Sequence, residues 1–418
     1  MIIFALLLEA QLGFECGVNR IIAKLFELDM LSDKKGVLPS RKAYDKACTK
    51  LPTKLLVGVL AKTHQSEYDS NGRLFHGYKV IIPDGTKISM MPTRKTIEKY
   101  GEGQGHYVQS QALGFLELST GSFQDFIFEN SKISERSIMR QHMGSNTAKT
   151  LYLCDAGYNG MAFIAISYKT DHKVLMQLKS SALAKRFLKT KNRSTIYQIK
   201  LTKSHLLNYP DLQHYLGKTL KVRLIRTRGT SRLESQVLIT TLLDEKKYSW
   251  QEMSKLYLQR YSIELAFRHL KTTLKIEQIR KQNIQRIEQR LLAAIILFNV
   301  AVGIRNRIKR PNILPEKEGV EMHCFTLCIE MAHVFCRAVI SKKHGIKKMM
   351  NKCLIAIRNC RFVYKPWRAE PRICHTPPSE FSVQKGAVIL KEFENSEFLK
   401  TEYEILGREY GQKESKNA

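Results

Sequence analysis

The stretch YLQRYSIELAFRHLK, residues 257–271, sets Tyr257, Arg260, Glu264 and Lys271 at offsets of 0, 3, 7 and 14. On a helix of 3.6 residues per turn these four side chains project within an arc of about 60°. Leu256, Ile263, Phe267, Leu270 and Leu274 form a second stripe beside them, which predicts an edge turned toward a core. One helix thus offers a carboxylate flanked by two cations and a phenol. Taken alone, the same pattern suits a solvated helix with ion pairs, because Glu264 is spaced to meet Arg260 or Arg268. The rest of the chain decides between the two. Ser249 and Glu252 make an S-x-x-E capping box that starts this helix and carries it to about Leu274. A further helix is predicted over residues 284–308.

Upstream, the pattern changes to strands. YKVIIPDGTKIS is β-branched and apolar, with a turn expected at Pro83, Asp84 and Gly85. QALGFLELSTGSFQDFIFE reads as two strands joined at Ser119, Thr120 and Gly121. A helix is expected around KISERSIMRQHM. TLYLCDAGYNG is a short apolar strand ending at Asp155, and KVLMQLK is another buried strand. Strand, hairpin, helix and strand in this order suit a mixed α/β sheet.

The outer segments divide the chain further. Residues 1–70 read as a helical N-terminal region, with Ser40 capping a helix that stops at Pro52. Lys34, Lys35, Arg41, Lys42, Lys46, Lys50 and Lys54 make it basic, which fits a DNA-binding module or a solvated face equally well. Residues 71–179 and 249–310 hold the two parts of the α/β core. Between them, residues 180–248 contain STIYQIKLTK, KTLKVRLIRTR and ESQVLITTLLD, read as a β-rich insertion with a basic surface that includes Lys185, Arg186, Lys221, Arg223 and Arg228. Residues 311–418 form a basic C-terminal region with a helical stretch, irregular past Pro366.

Lys plus Arg number 69 against 38 for Asp plus Glu, a formal charge of +31. An enzyme of small molecules rarely carries that excess, and the simplest partner is a polyanion. The longest apolar run, residues 291–304, is shorter than the ~20 residues that cross a bilayer, so no membrane partner is expected and the cytoplasm is the expected location. The nine cysteines include no CxxC pair. His323, Cys324, Cys328, His333 and Cys336 lie in an apolar helical stretch with the wrong ligand spacing for zinc, and read as buried core residues.

Y-x2-R-x3-E-x6-K, preceded by aspartates in VIIPDGT and YLCDAGYNG, resembles the signature of the insertion-sequence-four family of DDE transposases. The likeness runs from about residue 40 to 310 and departs from the family pattern at Ala156, where many relatives carry Arg. It implies an RNase H-like catalytic core with a β-strand insertion between the second Asp and the Glu. It also implies that Asp84, Asp155 and Glu264 are both the catalytic residues and the metal ligands, and that Tyr257, Arg260 and Lys271 contact DNA. The cofactors would be two divalent ions, Mg²⁺ or Mn²⁺. The partners would be double-stranded transposon ends and target DNA, bound by a homodimer, in a bacterial cytoplasm at the nucleoid.

Carboxylates suit that chemistry. Two divalent ions ~3.5–4 Å apart neutralise the nucleophile, the scissile phosphate and the leaving oxygen, and hard oxygen ligands hold them. Arg260 can grip a phosphate with its fork and Lys271 as a point charge. Two other readings share the basic surface: a transposase remnant that binds DNA without cutting it, and an RNase H-like nuclease that cuts without joining.

Overall fold

The computed structural model describes residues 2–12, 18–28, 38–101, 108–179, 181–227, 236–277, 283–308, 320–341 and 345–364. Lys34, Lys35, Arg228 and the tail past Pro366 lie outside the described residues. Four helices open the chain: α1 (Ile2–Gln11), α2 (Val18–Glu27), α3 (Arg41–Thr49) and α4 (Thr53–Asn71). The core follows as β1 (Lys79–Met90), α5 (Arg94–Tyr100), β2 (Val108–Glu117), β3 (Phe123–Asn130), α6 (Glu135–Ser145), β4 (Thr150–Cys154), α7 (Met161–Lys169) and β5 (Lys173–Gln177). Then come α8 (Ala182–Leu188), β6 (Ser194–Lys200), α9 (Lys203–Leu206), β7 (Thr219–Arg226) and β8 (Val237–Thr240). The chain continues through α10 (Trp250–Leu258), α11 (Ser262–Thr272), α12 (Ile284–Asn306), β9 (Val320–His323), α13 (Phe325–Ser341), α14 (Ile346–Asn359) and β10 (Arg361–Tyr364).

Eight strands form one sheet in the order β3-β2-β1-β4-β5-β8-β7-β6. β3, β2 and β1 are antiparallel, and β1, β4 and β5 are parallel. That five-strand order, covered by helices on both faces, is an RNase H-like core. Gly121, at a φ of +73°, closes the β2–β3 hairpin where a side chain would be strained. The three strands of residues 180–248 do not stand apart as a layer. β8 pairs antiparallel with β5, and β7 and β6 follow, so the insertion widens the core sheet. β9 and β10 form a separate two-stranded ribbon.

Two expectations need correction. Pro83, Asp84 and Gly85 make no turn; they lie inside the continuous strand β1. Glu117 donates its N–H to Ser122 on the β3 side, so its partner Ile81, and with it Pro83 and Gly85, point their N–H positions away from β2. Pro83 therefore costs no β1–β2 hydrogen bond, which is where a strand tolerates proline. The helix from Ser249 is also interrupted. A 3-10 turn at Gln259–Tyr261 separates α10 from α11. Three residues at 120° rather than 100° each rotate Tyr257 by about 60° relative to Glu264. Ser249 does cap α10, donating no proton but accepting from the Glu252 N–H at 3.2 Å.

The core lies on both faces. Val80, Ile82 and Ile88 of β1 pack with Ile263, Phe267 and Leu270 of α11 and with α12. Ile81, Leu113, Phe115 and Tyr152 pack beneath α6 and α7. The stripe of Leu256, Ile263, Phe267, Leu270 and Leu274 is buried throughout. α12 is long and apolar enough to cross a bilayer, but most of it is enclosed by protein. α1, α4 and α13 cover it, so the N-terminal and C-terminal helices share its core. His323, Cys328 and His333 are buried there, and Phe4 stacks on His333 at 4.7 Å.

A buried charge group joins α1 to α12. Glu9, wholly buried, meets Arg286 at 2.9 Å and Arg290 at 3.5 Å. Glu9→Leu removes the carboxylate that both guanidinium groups share while they stay buried, with Asp45 still 3.7 Å from Arg286. Denaturant titration of this variant should show a stability loss of roughly 3–5 kcal/mol. A loss well under 1 kcal/mol would mean that water reaches the group.

Candidate active site

Side chains alternate along β1, so Asp84 and Thr86 share the face of Val80 and Ile82, beneath α11. β1 and β4 pair only from Lys79–Thr150 to Ile81–Tyr152. Three residues further along each strand stand Asp84 and Asp155, level with one another where the pairing has ended. Asp155 caps the 3-10 turn Ala156–Tyr158, its carboxylate accepting from the Gly157 N–H at 3.4 Å. α11 packs across β1 and brings Glu264 to Asp84. An open cleft of about 470 Å³ between them is lined by Asp84, Thr86, Glu264, Phe267, Lys271 and Glu277.

The structure thus brings Asp84, Glu264 and Lys271 to one cleft. Asp155 and Arg260 border it without lining it. Arg260 is buried and reaches Glu264 at 3.1 Å, with its guanidinium 4.5 Å from the Tyr261 ring centre. Burial works against the Arg260 charge, yet Tyr257, Asp155 and Glu264 outweigh it and hold the group more firmly protonated than an ordinary arginine. Tyr257 is buried, and its hydroxyl donates to the Cys154 carbonyl at 3.3 Å. It braces the end of β4 next to Asp155 and does not line the cleft. Burial first, and then Asp155 and Cys154, push this phenol up and keep it a donor, against the lowering influence of Arg260. Lys271 pairs with Glu277 at 2.6 Å.

Among the described residues no group of three or more His, Cys, Asp or Glu side chains stands close enough to hold a metal ion. The Arg260 guanidinium lies against Glu264 and within the charge field of Asp155. The donors nevertheless suit a hard divalent cation. Asp84 and Glu264 offer carboxylate oxygens to the cleft, with Asp155 at the end of the neighbouring strand β4. The Thr86 hydroxyl, on the same face as Asp84, is buried and without a hydrogen-bond partner. An orphaned hydroxyl beside a carboxylate is a polar position that a hydrated ion or a phosphate oxygen can satisfy.

Burial pushes the Asp84 carboxyl up to about 6. The Gly85 N–H, which donates to it at 2.9 Å, and the Arg260 charge pull it down, while Glu135 and Glu264 push it further up. Glu135 is the residue that the sequence did not single out. It stands in the first turn of α6, accepting from Gln111 Nε2 at 3.0 Å and from the Tyr158 hydroxyl at 3.1 Å. Its only sequence signal was a carboxylate just after the N-cap Ser134, which is commonplace.

An acid with a raised folded pKa gives stability that is full below its unfolded pKa and lost as pH rises through the folded one. Here the window runs from about 4 to 6. In metal-free protein Asp84→Asn should therefore melt higher than the parent at pH 7.5, by the equivalent of about 3 kcal/mol at most. The gap should close as pH falls toward 4. Melting curves across that range check the sign, and a parent more stable than the variant at pH 7.5 would refute it.

The family model for the transposase DDE domain matches residues 75–300. The transposase InsG for insertion sequence element IS4 of Escherichia coli is 24% identical over 198 residues, 46% of this chain and 43% of its own length. The chain thus spans less than half the length of that curated relative. Among solved structures, the cryo-EM structure of the piggyBac transposase synaptic complex with hairpin DNA is similar at a TM-score of 0.37 and 9% identity, covering 85% of this chain and 70% of that one.

Proposed function

Because the chain belongs to the transposase DDE domain family, we propose that it is an insertion-sequence transposase, which binds the DNA ends of its element and cuts and joins strands through Asp84, Asp155 and Glu264. The observation that carries this reading is the shared cleft. Asp84 and Glu264 line it together, and Asp155 follows directly after β4, the strand that pairs with β1. The family works with divalent metal ions, and we assign two, Mg²⁺ or Mn²⁺. When bound, they would neutralise the charge that builds on the phosphate and the leaving oxygen.

The chain's own residues would do the rest. Asp84, Asp155 and Glu264 supply the hard oxygen ligands. Arg260, released from Glu264, turns a fork toward a phosphate oxygen. Lys271, at the cleft wall, holds a neighbouring phosphate as a point charge. Tyr257 acts through Cys154, fixing the strand end on which Asp155 depends. Phe267 gives the cleft an apolar floor that limits water. The partner is double-stranded DNA, engaged by two copies of the chain, in the bacterial cytoplasm.

The test is cleavage of a duplex carrying the ends that flank the coding region, in Mg²⁺ or Mn²⁺, beside a binding titration without metal. Glu264→Gln should lower cleavage by about a hundredfold or more and leave end binding unchanged or slightly tighter. Lys271→Ala should weaken binding more than it slows cleavage by saturated complexes. A folded Glu264→Gln that still cuts at the parent's rate removes the reading.

A further inference from the structure

Glu135 approaches Asp84 from the opposite face of the sheet, behind Gly85, and does not line the cleft itself. α6 packs on the layer beneath Ile81, whereas Asp84 points up toward α11. A side chain on β1 would normally separate the two. Gly85 removes that barrier: a β-carbon there would fall on the Glu135 carboxylate itself. The missing side chain is the space that the carboxylate fills, one residue along from Asp84.

Two hydrogen bonds fix it there. Gln111 holds Oε1 from β2, and Tyr158 holds Oε2 from the turn that Asp155 caps. The next residue, Arg136, donates to the Asn159 carbonyl of the same loop at 3.3 Å. The start of α6 thus clamps the Asp155 loop against the Asp84 strand. Asp84 feels the Glu135 charge ahead of that of Glu264. An exposed carboxylate at a helix start needs no tie to two other elements. Nor does it need a glycine kept bare beneath it.

We propose that Glu135 is a fourth carboxylate of the acidic centre, a positioning residue that sets the Asp155 turn against Asp84 and raises the affinity of the cleft for divalent cations. This rests on the reading of Asp84, Asp155 and Glu264 given above. The buried, unpartnered Thr86 hydroxyl in the same cleft independently points to a ligand there.

The experiment titrates the full chain, free of DNA, with Mn²⁺ and follows the unbound ion by electron paramagnetic resonance, with a melting curve for each variant. The parent should bind Mn²⁺ and Asp84→Asn should lose it. Glu135→Gln should weaken binding about ten- to hundredfold, as loss of a supporting partner does, with melting close to the parent's. Tyr158→Phe keeps the charge but cuts one tie, so a smaller loss in the same direction is expected. In cleavage assays Glu135→Gln should raise the Mn²⁺ concentration for half-maximal rate more than it lowers the rate at saturation. A purely structural Glu135 would leave that ratio alone. If Asp84→Asn loses Mn²⁺ while Glu135→Gln binds like the parent, the role of Glu135 is overturned and the acidic centre stands. A parent that takes up no Mn²⁺ overturns the centre, and Glu135 with it. If Glu135→Gln melts early, Tyr158→Phe decides, and an unchanged Mn²⁺ affinity in that variant overturns the proposal.

Discussion

The site depends on a hydrogen bond that cannot form. Lys79 donates to the Lys149 carbonyl, so alternate residues of β1 direct their N–H groups toward β4. Pro83 falls on that side and has no N–H to give. The β1–β4 ladder ends at Ile81 and Tyr152. Beyond it the two parallel strands no longer bind each other, and an edge opens between them. Asp84 and Asp155 stand on the two lips of that opening. A residue able to donate at position 83 could extend the ladder and seal the gap. Placement of the acids at the carboxyl end of a short parallel pairing is a general way for an open α/β sheet to present polar groups to a ligand.

Like charges gathered at such an opening repel, and the chain offsets them from within. The Arg260 guanidinium is buried beside Glu264 and within reach of the Asp155 field. The 3-10 turn that carries it also swings Tyr257 toward the Cys154 carbonyl. Charge balance and the bracing of β4 thus come from one tightened turn, three residues long. A straight helix would have put the phenol on the same line as Glu264 and left the strand end without its donor.

Much of this was legible in the sequence. The hydrophobic stripe of α11, the capping Ser249, the hairpin at Gly121 and the strand ending at Asp155 follow from period and turn chemistry, and all are local. The failures are local signals overruled by tertiary context. Pro-Asp-Gly is turn chemistry, yet here Pro83 and Gly85 have their N–H positions on the side that β2 does not use, while Asp84 faces Gly114 across the β1–β2 ladder. The tight turn at Gln259–Tyr261 has no sequence mark that separates it from α-helix. Glu135 was invisible because its meaning lies in Gly85, Gln111 and Tyr158, up to 50 residues away in the chain. Glu9 depends likewise on arginines at 286 and 290. The three strands of residues 180–248 were readable as strands, but their joining to β5 was not, since pairing partners are set by the whole sheet.

The pairing of Lys271 with Glu277 has a thermodynamic consequence for a chain of net charge +31. Nucleic-acid binding gains entropy by expelling condensed ions from the duplex. On the proposal that Lys271 holds a phosphate, an arriving phosphate would also have to detach a carboxylate that is tethered to the same molecule. That anion cannot diffuse away, and bulk salt does not set its local concentration. Part of the Coulomb gain at this contact is therefore spent against an internal competitor whose strength is fixed by chain geometry. On that proposal the cleft would act as an exchanger already loaded with its own anion, favouring a polyanion placed well enough to replace it over a loose one held by charge alone.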